Sequence, residues 1–156
     1  MADRTSRFKA IRLLTEVEQT ISDLYKRYSE LFPEHRDFWA DLSHEETNHA
    51  LIVRELGASV ADERALYDPD KIPLQEIEDT LAGIKSVLAE AGEGGVSMKE
   101  ALTIAKNIEH ALIEKSFYDV FKPRQKNMQE FIDGIRDATM EHRTRVEEKV
   151  RSLDNK

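Results

Sequence analysis

The fold depends first on residues 38–56, which read FWADLSHEETNHALIVREL. In a helical conformation, spacings of three and four place seven of these residues on one stripe: Trp39, Leu42, Glu46, His49, Ala50, Val53 and Leu56. The stripe is apolar except for Glu46 and His49, which lie one turn apart near its centre. Because an unpaired charge on a buried face is very costly, we expect both side chains to meet polar partners from other helices.

The composition narrows the class of protein. The 156 residues are enough for one domain, which we expect to span residues 1–156. The absence of cysteine excludes disulfides, thiolate metal sites and cysteine nucleophiles. A net charge of −8 argues against nucleic acid as a partner. No segment approaches the roughly 20 apolar residues of a membrane-spanning helix, and the N-terminus has no signal-peptide pattern, so we expect a cytoplasmic protein without a membrane partner.

Helical periodicity recurs along most of the chain, and no alternation is long enough to predict a strand. Four long helices are predicted, at about 5–31, 34–57, 97–121 and 124–153. Pro33 and Pro123 mark short loops, which make the helices antiparallel neighbours within each pair.

The connection between the two helical pairs is long. Gly57 is the predicted end of the second helix, and Ser97 with Glu100 has the capping-box pattern that begins the next. Residues 57–97 therefore form a crossover, and residues 74–91 within it have the spacing of an extra amphipathic helix. The predicted fold is all-α, a four-helix bundle with a long crossover that allows the second and third long helices to run parallel.

Five polar residues interrupt the apolar stripes of the four long helices, each near the middle of its helix: Glu18, Glu46, His49, Glu109 and His142. Mid-helix positions meet at one level of an antiparallel bundle. Three carboxylates in a dry core repel one another unless they take up protons or bind a cation. Carboxylate and imidazole ligands suit iron, manganese or zinc, and they suit calcium poorly without more oxygen ligands.

This pattern resembles the ferritin-like di-iron carboxylate proteins, most closely the rubrerythrin branch. That family carries a glutamate on the first helix, Glu-x-x-His on the second, a glutamate on the third and Glu-x-x-His on the fourth. The resemblance implies that Glu18 and His49 bind one metal, that Glu109 and His142 bind the other, and that Glu46 bridges them.

The fourth helix departs from the family pattern. Thr139 stands three residues before His142, where the family has the second bridging glutamate. Leu112 stands where rubrerythrins often carry a further glutamate, and no cysteine-bound iron domain is present. Glu141 lies about 100° around the helix from His142 and cannot easily substitute. The centre therefore has five of six ligands and is compatible with two metals completed by water or a small carboxylate, with one metal, or with none.

The resemblance implies a di-iron or related oxidoreductase that acts on peroxide or dioxygen, with an unknown electron donor and a homodimeric assembly. Tyr25, seven residues after Glu18, is the candidate catalytic residue, because the family often has a tyrosine near the iron. Glu45 is close enough in angle to Glu46 to leave the ligand choice between them open. One alternative is a degenerate bundle that acts as a binding or structural protein without redox activity. A third possibility, an iron-storage cage, fits the acidic charge but not the extra helix.

Overall fold

The structure is a computed structural model that describes residues 4–61, 65–67, 71–114, 121–123 and 126–154. Most of these residues lie in five helices: α1 (Arg4–Leu31), α2 (Arg36–Ala61), α3 (Leu74–Glu93), α4 (Met98–Glu114) and α5 (Lys126–Asp154). A 3-10 turn, Pro33–His35, joins α1 to α2. The predicted helical class is confirmed. None of the helices in the described ranges combines the length and apolar character that crossing a membrane requires.

The helices α1 and α2 form an antiparallel hairpin. Near the loop, the rings of Tyr28 and Trp39 pack edge to face with centroids 4.8 Å apart. Further along, the Ser22 hydroxyl donates to the Ser43 carbonyl and the Ser43 hydroxyl donates to the Ser22 carbonyl, both at 2.8 Å. These reciprocal bonds fix the register of the two helices, and with it the level at which Glu18 meets the polar residues of α2.

Gly57 does not end the second helix, which continues to Ala61, so the predicted boundary at this glycine is wrong. Its physical role is a close approach between helices. A Cβ atom at position 57 would lie 2.6 Å from Cγ2 of Ile11 on α1. The missing side chain therefore lets the open ends of α1 and α2 pack together.

The extra helix predicted at 74–91 is present as α3 and runs to Glu93, followed by Gly94 in the left-handed conformation with φ 83°. It packs along α1 in the same direction. Two ion pairs show this alignment, Lys9 with Glu78 at 3.0 Å and Glu16 with Lys85 at 3.3 Å. The crossover thus extends along the hairpin and returns the chain to the end where α2 begins.

The predicted cap of α4 is confirmed, since the Glu100 amide donates to the Ser97 hydroxyl at 3.1 Å. At the start of α4, the Trp39 indole N–H donates to the Met98 sulfur at 3.3 Å. Because Trp39 is also near the start of α2, and Glu46 and Glu109 meet further along, α2 and α4 run in the same direction.

The connection between α4 and α5 differs from the prediction. The expected continuation of α4 crosses residues 115–120, which lie outside the described residues, and the positions beyond them form a strand. This strand, Phe121–Pro123, pairs antiparallel with a second strand, Ala65–Tyr67. Pro123 therefore does not belong to the first turn of the last helix, which begins at Lys126. Strands of three residues are too short for an alternating pattern to reveal.

Candidate metal centre

Four helices contribute the five polar side chains, and the structure brings them together in the core. Their residue exposures are 1% for Glu18, 1% for Glu46, 5% for His49, 0% for Glu109 and 1% for His142. The helical spacing explains the inward direction on α2, because Glu46 and His49 lie one turn apart on the stripe that also buries Leu42 and Val53. Polar groups removed from water in this way require partners.

Glu46 is at the middle of the cluster. Its Oε1 lies 2.8 Å from Nδ1 of His142, and its Oε2 lies 3.2 Å from Nδ1 of His49. The two imidazole rings stack nearly parallel, with centroids 5.2 Å apart and planes 18° from each other. Potential ligand atoms of Glu46, His49 and His142 all lie within 4.8 Å of one another, a spacing that could hold a metal ion.

The other two carboxylates flank this trio on opposite sides. Oε2 of Glu18 lies 3.9 Å from Nδ1 of His49, and Oε1 of Glu109 lies 3.6 Å from Nδ1 of His142. Each histidine nitrogen therefore lies between one flanking carboxylate and the shared Glu46. The cluster has two halves, each with one glutamate and one histidine, and a carboxylate common to both.

Although a protonated Glu18 can donate to Glu46, several oxygens in the cluster accept no hydrogen bond from the described residues. They are both carboxylate oxygens of Glu18 and Oε2 of Glu109, and all three are buried. Leaving a buried acceptor unpaired costs roughly 1–3 kcal/mol, and more when it is charged. The cluster therefore favours a proton or a cation beside these oxygens.

Protons can partly meet this demand. Burial, with the charge of Glu46 beside it, raises the pKa of Glu18 well above its usual range. The same two causes raise the pKa of Glu109 to about 7. Burial alone would raise the pKa of Glu46, but hydrogen bonds with His142 and His49 hold it well below the usual range. Burial would lower the pKa of His142, but hydrogen bonds with Glu109 and Glu46 raise it to about 10. At neutral pH the cluster without metal therefore pairs an ionised Glu46 with a protonated His142.

Tyr25 contacts the cluster directly. Its hydroxyl, on a fully buried ring, donates to Oε1 of Glu109 at 2.8 Å. Burial and the nearby Glu109 charge raise the pKa of Tyr25 well above its usual range, so the phenol keeps its proton. The contact fixes one oxygen of Glu109 and leaves its other oxygen available.

Thr139 is buried beside the cluster, 3% exposed, but its hydroxyl donates to the Ile135 carbonyl of its own helix at 2.9 Å. It therefore supplies no charge where a glutamate would have done so. Glu141 does not compensate, because its side chain is 68% exposed and reaches towards Arg145.

Glu45 contacts the cluster from outside it. Its Oε2 lies 3.0 Å from Nε2 of His142, and the Arg145 guanidinium donates a hydrogen bond to the same oxygen. Glu45 is half-exposed, whereas Glu46 points into the cluster, so geometry favours Glu46 as the inward ligand. The contact joins α2 to α5 across 97 positions of sequence, and no local pattern indicates it.

No protein-family model, curated protein or solved structure matches this chain. The resemblance to the ferritin-like proteins therefore stays a prediction that rests on the spacing of the polar residues and on how they meet.

Proposed function

We propose that this chain is a ferritin-like, rubrerythrin-type metal-binding protein whose centre takes two iron ions, or one. The observation that supports the proposal is the convergence of three carboxylates and two imidazoles in a buried cluster, where three carboxylate oxygens accept no hydrogen bond from any described residue. This donor set suits iron, manganese and zinc.

In the proposed centre, Glu18 and His49 would hold one metal, Glu109 and His142 would hold the other, and Glu46 would serve both. The two-sided arrangement of the cluster supports this assignment, because each histidine Nδ1 lies between the shared Glu46 and one flanking carboxylate. Metal binding would displace the proton that neutralises Glu18 and the proton that makes His142 a cation, since ligands bind deprotonated.

The number of carboxylates bears on the occupancy. Three carboxylates offset all but one of the four positive charges of two divalent ions, whereas a glutamate in place of Thr139 would have offset all four. A two-metal centre in this chain therefore needs one further anion, such as hydroxide or a small carboxylate. A one-metal centre needs none and would leave one carboxylate protonated.

The resemblance supports reduction of peroxide or dioxygen as the activity. An iron pair, when bound, would provide the two electrons that, with two protons, convert hydrogen peroxide to two waters, and an external electron donor would be needed to restore the ferrous state. Tyr25 orients Glu109 through its hydrogen bond, and the buried stripe around the cluster excludes bulk water. A homodimer and a cytoplasmic location are further predictions from the sequence.

The second candidate is a degenerate bundle that binds a partner or supports a structure without metal. Two observations favour it. Thr139 supplies no carboxylate to the cluster, and the ionised Glu46 and the protonated His142 already neutralise each other without a metal. In this case the protein would stay fully folded when His49 is replaced by an apolar residue.

Metal content per chain, measured by mass spectrometry after anaerobic loading with ferrous iron and desalting, tests the proposal. We expect between one and two irons per chain, with none in Glu46→Gln. Close to two would support oxidant reduction by a completed pair. Close to one would support an asymmetric centre and call for manganese and zinc loading. No iron in folded protein would refute the proposed function and favour the degenerate bundle.

A further inference from the structure

A cleft of about 310 Å³ lies between α2 and α5, beside the metal centre. Residues of α2 form one wall, including Glu45, His49 and Ile52, and residues of α5 form the other, including Glu130, Gly134 and Ala138. His49 belongs both to this cleft and to the cluster, where its Nδ1 faces Glu46 at 3.2 Å. It is also the most exposed of the five cluster residues, at 5%. The cleft therefore reaches the centre at His49.

Small residues of α5 form part of the cleft wall. Gly134 and Ala138 lie one turn apart on the wall, and a Cβ built at position 134 meets no atom within 4 Å. A glycine inside an exposed helix costs about 1 kcal/mol relative to alanine, so this position sacrifices helix stability. The space that it leaves is part of the cleft.

The cleft is large enough for a hydrated cation, and a few polar groups stand on its mostly apolar wall. Six waters occupy about 180 Å³ at roughly 30 Å³ each, which is less than the volume of the cleft. Two carboxylates, Glu45 and Glu130, line it together with the imidazole of His49. Because Arg145 pairs with Glu45, Glu130 is the carboxylate that we expect to attract a cation.

We propose that this cleft is the path by which hydrated divalent cations enter and leave the buried cluster, with Glu130 on its wall and His49 at its inner end. The inference rests on the proposed metal-binding function. It adds a route and a class of ligand in transit, with Gly134 as a wall position where a larger side chain would narrow the route.

The rate of metal uptake tests this route. Gly134→Leu places a side chain in the cleft, and Gly134→Ala is the matched control, because it makes the same helix-stabilising change and leaves most of the space. Stopped-flow absorbance would follow Co²⁺ uptake by each folded, metal-free protein. We expect Gly134→Leu to load more slowly than Gly134→Ala by roughly tenfold or more, because a close-packed wall opens only in transient fluctuations. Final cobalt content should be equal. Equal uptake rates in the two variants would overturn the proposed route. If no protein took up cobalt, including the unaltered chain, both the route and the proposed metal-binding function would be overturned.

A second readout needs no metal. Diethyl pyrocarbonate, a small reagent that acylates imidazole, would modify the metal-free proteins, and peptide mass spectrometry would give the rate at each histidine. His44 is exposed and serves as the internal standard. We expect His49 to react more slowly in Gly134→Leu than in Gly134→Ala, with His44 unchanged. Equal behaviour of His49 in both variants would show that the cleft is not the approach to the cluster, whatever metal the protein binds.

Discussion

Replacement of Glu46 by glutamine should destabilise the metal-free protein strongly. The change keeps the shape of the side chain and removes the charge that faces His142 at 2.8 Å and His49 at 3.2 Å in the core. His142 would keep its proton without a counter-charge on this side, or would lose it. Removing one partner of a buried ion pair typically costs about 3–5 kcal/mol.

The pKa of His142 leads to a similar magnitude. Its value in the folded protein is about 10, against 6.5 for an unperturbed histidine. At pH 7, a return of this pKa to the unperturbed value forfeits about 4 kcal/mol, at about 1.4 kcal/mol per pKa unit. Loss of the Glu46 charge also relieves Glu18 and Glu109, whose pKa values it raises. We therefore expect a loss of about 3 kcal/mol, or close to 10 °C in melting temperature for a chain of this length.

Urea unfolding of the metal-free protein, followed by circular dichroism, measures this loss. The matched control is Glu141→Gln, an exposed carboxylate on α5 that does not enter the cluster, which should cost less than about 1 kcal/mol. The pH dependence identifies the cause. A raised histidine pKa stabilises the fold fully below pH 6.5 and loses this effect as pH rises through 10, so the deficit of Glu46→Gln should shrink between pH 7 and pH 10. A deficit below about 1 kcal/mol at pH 7, or one unchanged at pH 10, would refute the reasoning.

Three further substitutions test other parts of the structure. Thr139→Glu adds a buried carboxylate that only a cation offsets, so it should raise cobalt affinity by roughly tenfold and lower the stability of the metal-free protein. Calorimetric titration measures the affinity and urea unfolding measures the stability. Unchanged affinity would contradict the expectation. Tyr25→Phe removes the hydrogen bond to Glu109 and should cost about 1–3 kcal/mol in urea unfolding of the metal-free protein, with metal still bound; no loss of stability would contradict the contact. Gly57→Ala should lower the free energy of unfolding by about 1–3 kcal/mol, although alanine favours helix more than glycine does, because its Cβ would overlap Ile11. When Ile11→Ala is already present, the further loss caused by Gly57→Ala should be smaller.

Local periodicity predicted much of the candidate centre. The positions of Glu18, Glu46, His49, Glu109 and His142 on apolar stripes predicted that they are buried, and all five are. Such a pattern reports direction reliably, because each helical residue turns about 100° from its predecessor whatever surrounds it. The same local rules predicted the Ser97 cap and the helix at 74–91.

Features that depend on how the helices pack were missed or misread. Gly57 has the local character of a helix end, yet the helix continues through it to Ala61. A glycine is present there because Ile11 of another helix lies too close for a side chain. The helical angle of Glu45 leaves its role open, and only the packing of α5 brings it against His142 and Arg145. Neither outcome can be read from neighbours in sequence, since the register between two helices is set by side chains far apart in the chain.

The sequence by itself determined that this protein is helical and that five polar side chains turn inward from four helices, because these properties follow from helix geometry and from the cost of exposing apolar surface. Only the tertiary structure decided that Glu46 lies between both histidines, that Glu18 and Glu109 flank them, and that a cleft lined by residues of α2 and α5 includes His49. The physical reason is that distances between helices depend on their register and closest approach, which many weak packing contacts set together.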